Sequence, residues 1–144
     1  ATRTLTVELS PPILYEFGFY AAVRWLGATM LEPRNIAFDC RIEHEPELDD
    51  QSRLILFHAL RELFYNVTKH AQANNVKCRV WKSDEKLSII VEDDGIGLPQ
   101  DIDVRQAESF GLQLIQMMVK QIKGKFAIES GHGTRFRIEF ELKN

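Results

Sequence analysis

From Asp49 to Ala71 the chain carries the spacing of one long helix, and that helix has two unlike faces. At roughly 100° per residue, Leu56, Leu60, Leu63, Phe64, Val67 and Ala71 fall within a single arc of about 100°. A stripe that wide needs a second layer to cover it. Glu62, Asn66, Lys69 and His70 share a separate arc of similar width. An acid, a carboxamide, an ammonium and an imidazole are therefore stacked along one side. Lys and Glu fill solvated helix faces routinely, but a mid-helix Asn is mildly unfavourable.

The covering layer is legible around this helix. Asn35 to His44 alternates, with Ile36, Phe38, Cys40 and Ile42 on one side and Asp39, Arg41 and Glu43 on the other, as a half-buried strand does. Val76, Cys78 and Val80 alternate with Lys77 and Arg79 in a second strand. Ser83-Asp84-Glu85-Lys86 reads as a turn into a third strand, Leu87 to Asp93, whose run Ile89-Ile90-Val91 suits a central position. Gly95 to Ser109 reads as a loop. A helix bearing Leu112, Ile115, Val119 and Ile122 follows and stops at Gly124. Phe126 and Ile128 mark a fourth strand, Gly131-His132-Gly133 a turn. A fifth strand turns Phe136, Ile138, Phe140 and Leu142 inward and Arg135, Arg137, Glu139 and Glu141 outward, as a hairpin with the fourth.

Ahead of all these, Ser10 can cap a helix beginning at Pro11-Pro12 and running to about Leu31. Leu14, Phe17, Ala21, Trp25 and Ala28 form one stripe on it; Phe19, Tyr20, Val23, Leu26 and Met30 extend round it. A helix this apolar touches its own core and a second surface. Helix, strand, helix, strand, strand, helix, strand, strand is the order of a two-layer α/β sandwich.

At 144 residues the chain is the size of one domain. Its charge of −3, from 18 Lys+Arg against 21 Asp+Glu, gives no basic footprint for nucleic acid. Any polyanionic ligand must be met locally, by a helix N-terminus, a few placed cations or a metal ion. Cys40 and Cys78 lie far apart in sequence, in strand-like runs, and read as two buried thiols of a reducing compartment. No C-x-x-C or Cys/His cluster suggests zinc. Glu16 and Arg24 interrupt the most apolar stretch, and no signal pattern opens the chain, so it reads as cytoplasmic. The first residue is Ala1, which suggests a piece of a longer protein.

Three short motifs join the long helix. Asp93-Asp94-Gly95-Ile96-Gly97 directly follows the buried strand. Its glycines permit a sharp turn against a flat ligand, and a strand-end Asp can accept from an exocyclic amine; an ordinary β-turn would use the same residues. Ser109-Phe110-Gly111-Leu112 opens a helix whose free amides suit a phosphate, although many helices begin after Gly. Gly131-His132-Gly133-Thr134 taken alone is a hairpin turn.

Taken together, in this order, these motifs resemble the catalytic ATP-binding domain of sensor histidine kinases, in the superfamily that includes gyrase and the large heat-shock chaperones. Arg61-Glu62-Leu63-Phe64-Tyr65-Asn66-Val67-Thr68-Lys69-His70-Ala71 is similar to the family's N box. Asp93-Asp94-Gly95-Ile96-Gly97 is similar to its first glycine box, Phe110-Gly111-Leu112 to a reduced second one, and Gly133-Thr134 to its terminal Gly-Thr. Lys69-His70-Ala71, the short lid and Glu8-Leu9-Ser10-Pro11-Pro12-Ile13-Leu14-Tyr15-Glu16-Phe17-Gly18 resemble the branch that pairs with LuxR-type response regulators.

The resemblance implies a Bergerat-type fold: a mixed, mostly antiparallel sheet of about five strands covered by three helices. Residues 1–10 would end a dimerisation or linker segment, and 11–144 would be the catalytic domain. It implies ATP and Mg²⁺ as cofactors, with Asn66 as metal ligand and Glu62 as the catalytic carboxylate that orients or deprotonates a nucleophile or holds a metal-bound water. Lys69 and His70 would face the phosphates. Asp93 would read adenine, supported by Thr134, with Gly95 and Gly97 shaping the pocket wall. Gly111 and Leu112 would close a lid over the phosphates. His44, His58, His70 and His132 lack the family's acceptor pattern, so the phosphorylated histidine is expected upstream of Ala1. The expected partners are the protein's own dimerisation domain, in a homodimer, and a response regulator. An anti-sigma-factor-type serine kinase, or a nucleotide-gated protein-binding module, would share the fold.

Overall fold

Leu87-Ser88-Ile89-Ile90-Val91 is buried at every position, and the strand that contains it is the middle one of a five-stranded sheet. The computed structural model describes residues 12–44, 46–96 and 111–142. The elements are α1 (Pro12–Met30), β1 (Ala37–Ile42), α2 (Asp50–Asn66), β2 (Asn75–Ser83), β3 (Lys86–Asp93), α3 (Leu112–Gln121), β4 (Lys125–Gly131) and β5 (Gly133–Glu141). The sheet order is β1-β2-β3-β5-β4. Among the described residues β1 and β2 run parallel and the other neighbours are antiparallel. The two-layer α/β sandwich and its mixed, mostly antiparallel sheet under three helices are as expected. Ser10, Pro11, the segment 1–10 and the loop from Gly97 to Ser109 lie outside the described residues.

α2 is capped as its sequence suggests, with the Asp49 carboxylate accepting the amide N–H of Ser52 at 2.9 Å. Its stripe Leu56, Leu60, Leu63, Phe64, Val67 and Ala71 is buried throughout. Phe57 and Ala59 are buried as well, because α1 and α3 both pack against α2 and widen the covered arc. β5 turns Phe136, Ile138 and Phe140 into this core. On the opposite face, Arg135 reaches Glu92 at 2.8 Å, its register partner in β3.

Three elements depart from the sequence expectation. The first helix is not continuous: Gly18, at φ 94 and ψ 177, breaks it into two pieces, a conformation glycine adopts at little cost. The two apolar stripes are buried unequally: Leu14 of the first is fully covered. Phe19, Val23 and Leu26 of the second are buried, whereas Phe17 and Trp25 of the first are 70% and 41% exposed. β1 is shorter than 35–44, because Asn35 ends a 3₁₀ turn, Glu32–Arg34, in the left-handed conformation. The long helix is α-helical only to Asn66; Val67–Ala71 form a π turn ended by Gln72 at φ 52. Such single wide turns are frequent at functional sites.

Candidate functional site

The π turn delivers the end of the long helix to the end of the central strand. The Ala71 carbonyl accepts the amide N–H of Ile96 at 2.8 Å. A Cβ on Gly95 would lie 1.9 Å from that same oxygen, so only glycine permits the approach. Asn66, one π turn earlier, is thereby held on the side of the molecule where β3 ends. Its side chain is 7% exposed, and its Nδ2 is buried with no hydrogen-bond partner among the described residues. A buried unpaired amide is costly, which makes Asn66 a candidate to meet a ligand.

Glu62 lies one turn before Asn66. Gly111, at φ 72, caps α3 against both: a Cβ there would stand 2.8 Å from Glu62 Oε1 and 3.6 Å from Asn66 Oδ1. The N box and the start of α3 therefore meet. Leu112 is 1% exposed and belongs to the core, so this position can meet a ligand only through its backbone, as the first amides of a helix do. Lys69 and His70 fall in the π turn. An i→i+5 turn advances more slowly round the axis than an α turn. The Lys69 ammonium lies 5.2 Å from the Tyr65 ring centre. Gly97 and Phe110 lie outside the described residues.

Asp93 and Asp94 are adjacent in sequence and opposite in environment. Asp93 is 7% exposed. Its Oδ1 accepts the amide N–H of Gly95 at 2.9 Å and that of Thr134 at 3.3 Å. Among the described residues both bonds to this carboxylate fall on Oδ1. Burial pushes the Asp93 carboxyl above the ordinary aspartate pKa, against the pull of the two amides and with help from the Asp94 charge. Thr134, the register partner of Asp93, supports the carboxylate directly through its backbone.

Asp94 points outward and clamps the start of β2. Its Oδ1 accepts the amide N–H groups of Asn74 and Asn75, and its Oδ2 accepts from Asn75 Nδ2, all at 2.8 Å. The Asn75 side chain first, and then these backbone amides, hold its pKa below the ordinary value. Sequence reasoning assigns this residue no separate role, because its partners lie 19 and 20 residues away. Asp94→Ala is expected to cost about 1–2 kcal/mol at neutral pH, the net worth of a few solvent-exposed bonds. Folding lowers this pKa, so the contribution is present above the unfolded value and is lost as pH falls through the folded one. Urea titrations at neutral pH and at about pH 2.5 check the sign: the gap between variant and parent is expected to narrow in acid.

The arrangement is a carboxylate at a strand end, a buried amide and an acid on one helix, and a glycine-capped helix start between them. The family of histidine kinase-, DNA gyrase B- and HSP90-like ATPases matches residues 51–144, and the chain belongs to that family. It is 36% identical over 141 residues to the signal transduction histidine-protein kinase/phosphatase UhpB of Salmonella typhimurium, covering 96% of this chain and 27% of that protein. It is 30% identical over 145 residues to the sensor histidine kinase ComP of Bacillus subtilis, covering 99% of this chain and 19% of that protein. The chain thus spans about a quarter or less of these relatives. The fold is that of the blue-light activated histidine kinase of Erythrobacter litoralis, with a TM-score of 0.77 at 20% identity, over 86% of this chain and 42% of that one. This is an ATP-binding domain of the sensor histidine kinase type. Among the described residues no helix is long and apolar enough to cross a membrane.

Proposed function

We propose that Asp93, Thr134, Asn66, Glu62 and the Gly111-capped start of α3 bind Mg-ATP. In the complete protein, the γ-phosphoryl group passes to a histidine on a dimerisation segment outside this chain. One observation carries the reading: the Asn66 carboxamide is buried with its Nδ2 unpartnered, one turn from the Ala71 carbonyl that receives the turn following Asp93. The oxygen of such a carboxamide suits a hard oxygen-seeking cation, so Asn66 is the residue that would hold Mg²⁺. When bound, the metal supplies positive charge against a triphosphate that a chain of net charge −3 lacks.

The protein's own groups do the rest. Asp93 Oδ2 accepts the adenine amine, and an acceptor there disfavours guanine, which carries a carbonyl at that place. Gly95 lets the turn after Asp93 close on the Ala71 carbonyl, and Gly97 would shape the pocket wall. The amides of Gly111 and Leu112 meet phosphate oxygens, and Lys69, once released from the Tyr65 ring, joins His70 beside them. Glu62 orients the accepting nucleophile or a metal-bound water. Catalysis of this kind is mostly positioning and charge neutralisation.

The partners of this reading are the protein's own dimerisation domain, in a homodimer, and a response regulator of the LuxR type. Residues 1–10 then end the dimerisation or linker segment, and the domain works in the cytoplasm, where ATP is supplied. The relatives above are sensor kinases, so the serine-kinase and gated-binding alternatives are not favoured.

Asn66→Ala tests the reading. Mg²⁺-dependent ATP affinity is expected to fall at least about tenfold, the worth of one strong polar contact. The fold should hold, since the lost Nδ2 makes no bond among the described residues. Titration calorimetry with and without Mg²⁺, beside thermal melts, reads both. Unchanged Mg-ATP affinity in a folded variant would remove Asn66 from the site.

A further inference from the structure

Cys40 and Cys78 lie side by side. They are direct register partners across the parallel pair β1 and β2. Both are free thiols, 8% and 0% exposed. Neighbouring strands run about 4.7–4.9 Å apart, inside the roughly 4.4–6.8 Å between Cα atoms that a disulfide spans. Both residues belong to the buried core. In sequence nothing joins them: 37 residues separate positions that the parallel register makes adjacent.

The two thiols are not equivalent. Cys40 is on an edge strand. Its pKa is lowered by the hydrogen bond with Cys78 first and by the Arg24 guanidinium of α1, against burial and the neighbouring Asp39. Cys78 is enclosed between β1 and β3, and its pKa is raised by the bond to Cys40 and by burial. The residue on the edge strand is the one an oxidant reaches first, with a second thiol paired beside it in the register, the arrangement of an attacking and a resolving cysteine.

We propose that Cys40 and Cys78 are a redox modification site, a dithiol that hydrogen peroxide closes to a reversible disulfide between β1 and β2. The Cys40 thiolate attacks one peroxide oxygen and the O–O bond breaks. A sulfenic acid forms, and the leaving hydroxide takes a proton to become water. The Cys78 sulfur then attacks the sulfenic sulfur; the S–S bond forms, the S–O bond breaks, and the departing hydroxide leaves as water with the Cys78 proton. Two thiols lose two electrons and one peroxide becomes two waters. The bond ties the edge strand to β2 beside Val91, two residues before Asp93. It does not depend on what the nucleotide site binds.

The chain is treated with hydrogen peroxide, blocked with iodoacetamide and mapped by mass spectrometry. The expected product has lost two hydrogens, joins the Cys40 and Cys78 peptides within one chain, and returns to the dithiol with dithiothreitol. Its melting temperature is expected to exceed that of the reduced chain. In Cys78→Ser, dimedone should trap a sulfenic acid on Cys40; in Cys40→Ser, Cys78 should stay unmodified at the same dose. Three results in the native chain would overturn the site. They are free thiols at a dose that oxidises an unstructured cysteine peptide, a stable oxidised Cys40 beside a free Cys78, and linkage between chains instead of within one. Equally fast closure in urea would show that the native register does not direct the reaction, and would also overturn it.

Discussion

Asp93→Asn is expected to weaken ATP binding roughly 10–150-fold while making the fold more stable at neutral pH. The two effects share one cause. In the parent, Oδ1 is held by the amides of Gly95 and Thr134, and an Asn Oδ1 can accept the same two bonds. The other terminus changes from acceptor to donor, and in the proposed complex would face an adenine amine that is itself a donor. A hydrogen bond to a charged group is worth about 1.5–3 kcal/mol, which sets the loss of affinity. Discrimination against guanine nucleotides should shrink with it, since a donor suits the guanine carbonyl.

The stability half follows from linkage. Burial raises the Asp93 pKa above its unfolded value, so the folded chain holds the proton longer. Stability is then lost as pH rises from the unfolded pKa through the folded one. Asn does not titrate and escapes that loss. Denaturant titrations should find the variant more stable at neutral pH, with the gap closing in acid, where the parent carboxyl is neutral too. Undiminished ATP affinity would take Asp93 out of adenine recognition. A variant less stable than the parent at neutral pH would mean that the charge is better satisfied than its burial implies.

Gly133→Ala should be strongly damaging, at about 2–4 kcal/mol, the range of backbone strain combined with a steric clash. Gly133 has φ 95, and a Cβ there would stand 2.0 Å from the Asp93 carbonyl oxygen. The contact is with backbone, so no side chain can turn aside to relieve it. The strand start must move, and with it the Thr134 amide that supports the carboxylate. Gly131→Ala is the control in the same hairpin: its Cβ would meet nothing within 4 Å, and the expected change is within about 0.5 kcal/mol. Melting and ATP titration of the pair should separate by that margin. Equal stability of the two variants would show that β5 absorbs the clash without consequence.

Much of the site was legible because it is built from local pattern. Asn66 stood out as an amide in a helix interior, and Asp93 as the acid ending the apolar strand. Gly111 and Gly133 announced turns, though not what each turn avoids. Gly111 makes room for Glu62 and Asn66, and Gly133 for the Asp93 carbonyl. The Asp94 clamp had no sequence signal, since Asp-Gly is ordinary turn chemistry wherever it occurs. The π turn was hidden for a similar reason. Val67–Ala71 have the composition of an ordinary helix end, and only the bond from Ile96 to the Ala71 carbonyl shows where that end must be.

The first helix shows the same division. Its two apolar stripes were equally good candidates for the core, and the backbone break at Gly18 accompanies the choice of the one containing Phe19, Val23 and Leu26. What the amino-acid order determined by itself was the set of elements, their two-layer arrangement and the residue types able to meet a nucleotide. These follow from periodicity, caps and turn residues, which act over a few neighbours. Only the tertiary structure decided which distant residues stand face to face: Cys40 with Cys78, Asp94 with Asn75, Gly95 with Ala71. Strand register and the approach of one backbone to another are set by the packing of the whole core, and no short stretch of sequence carries that information.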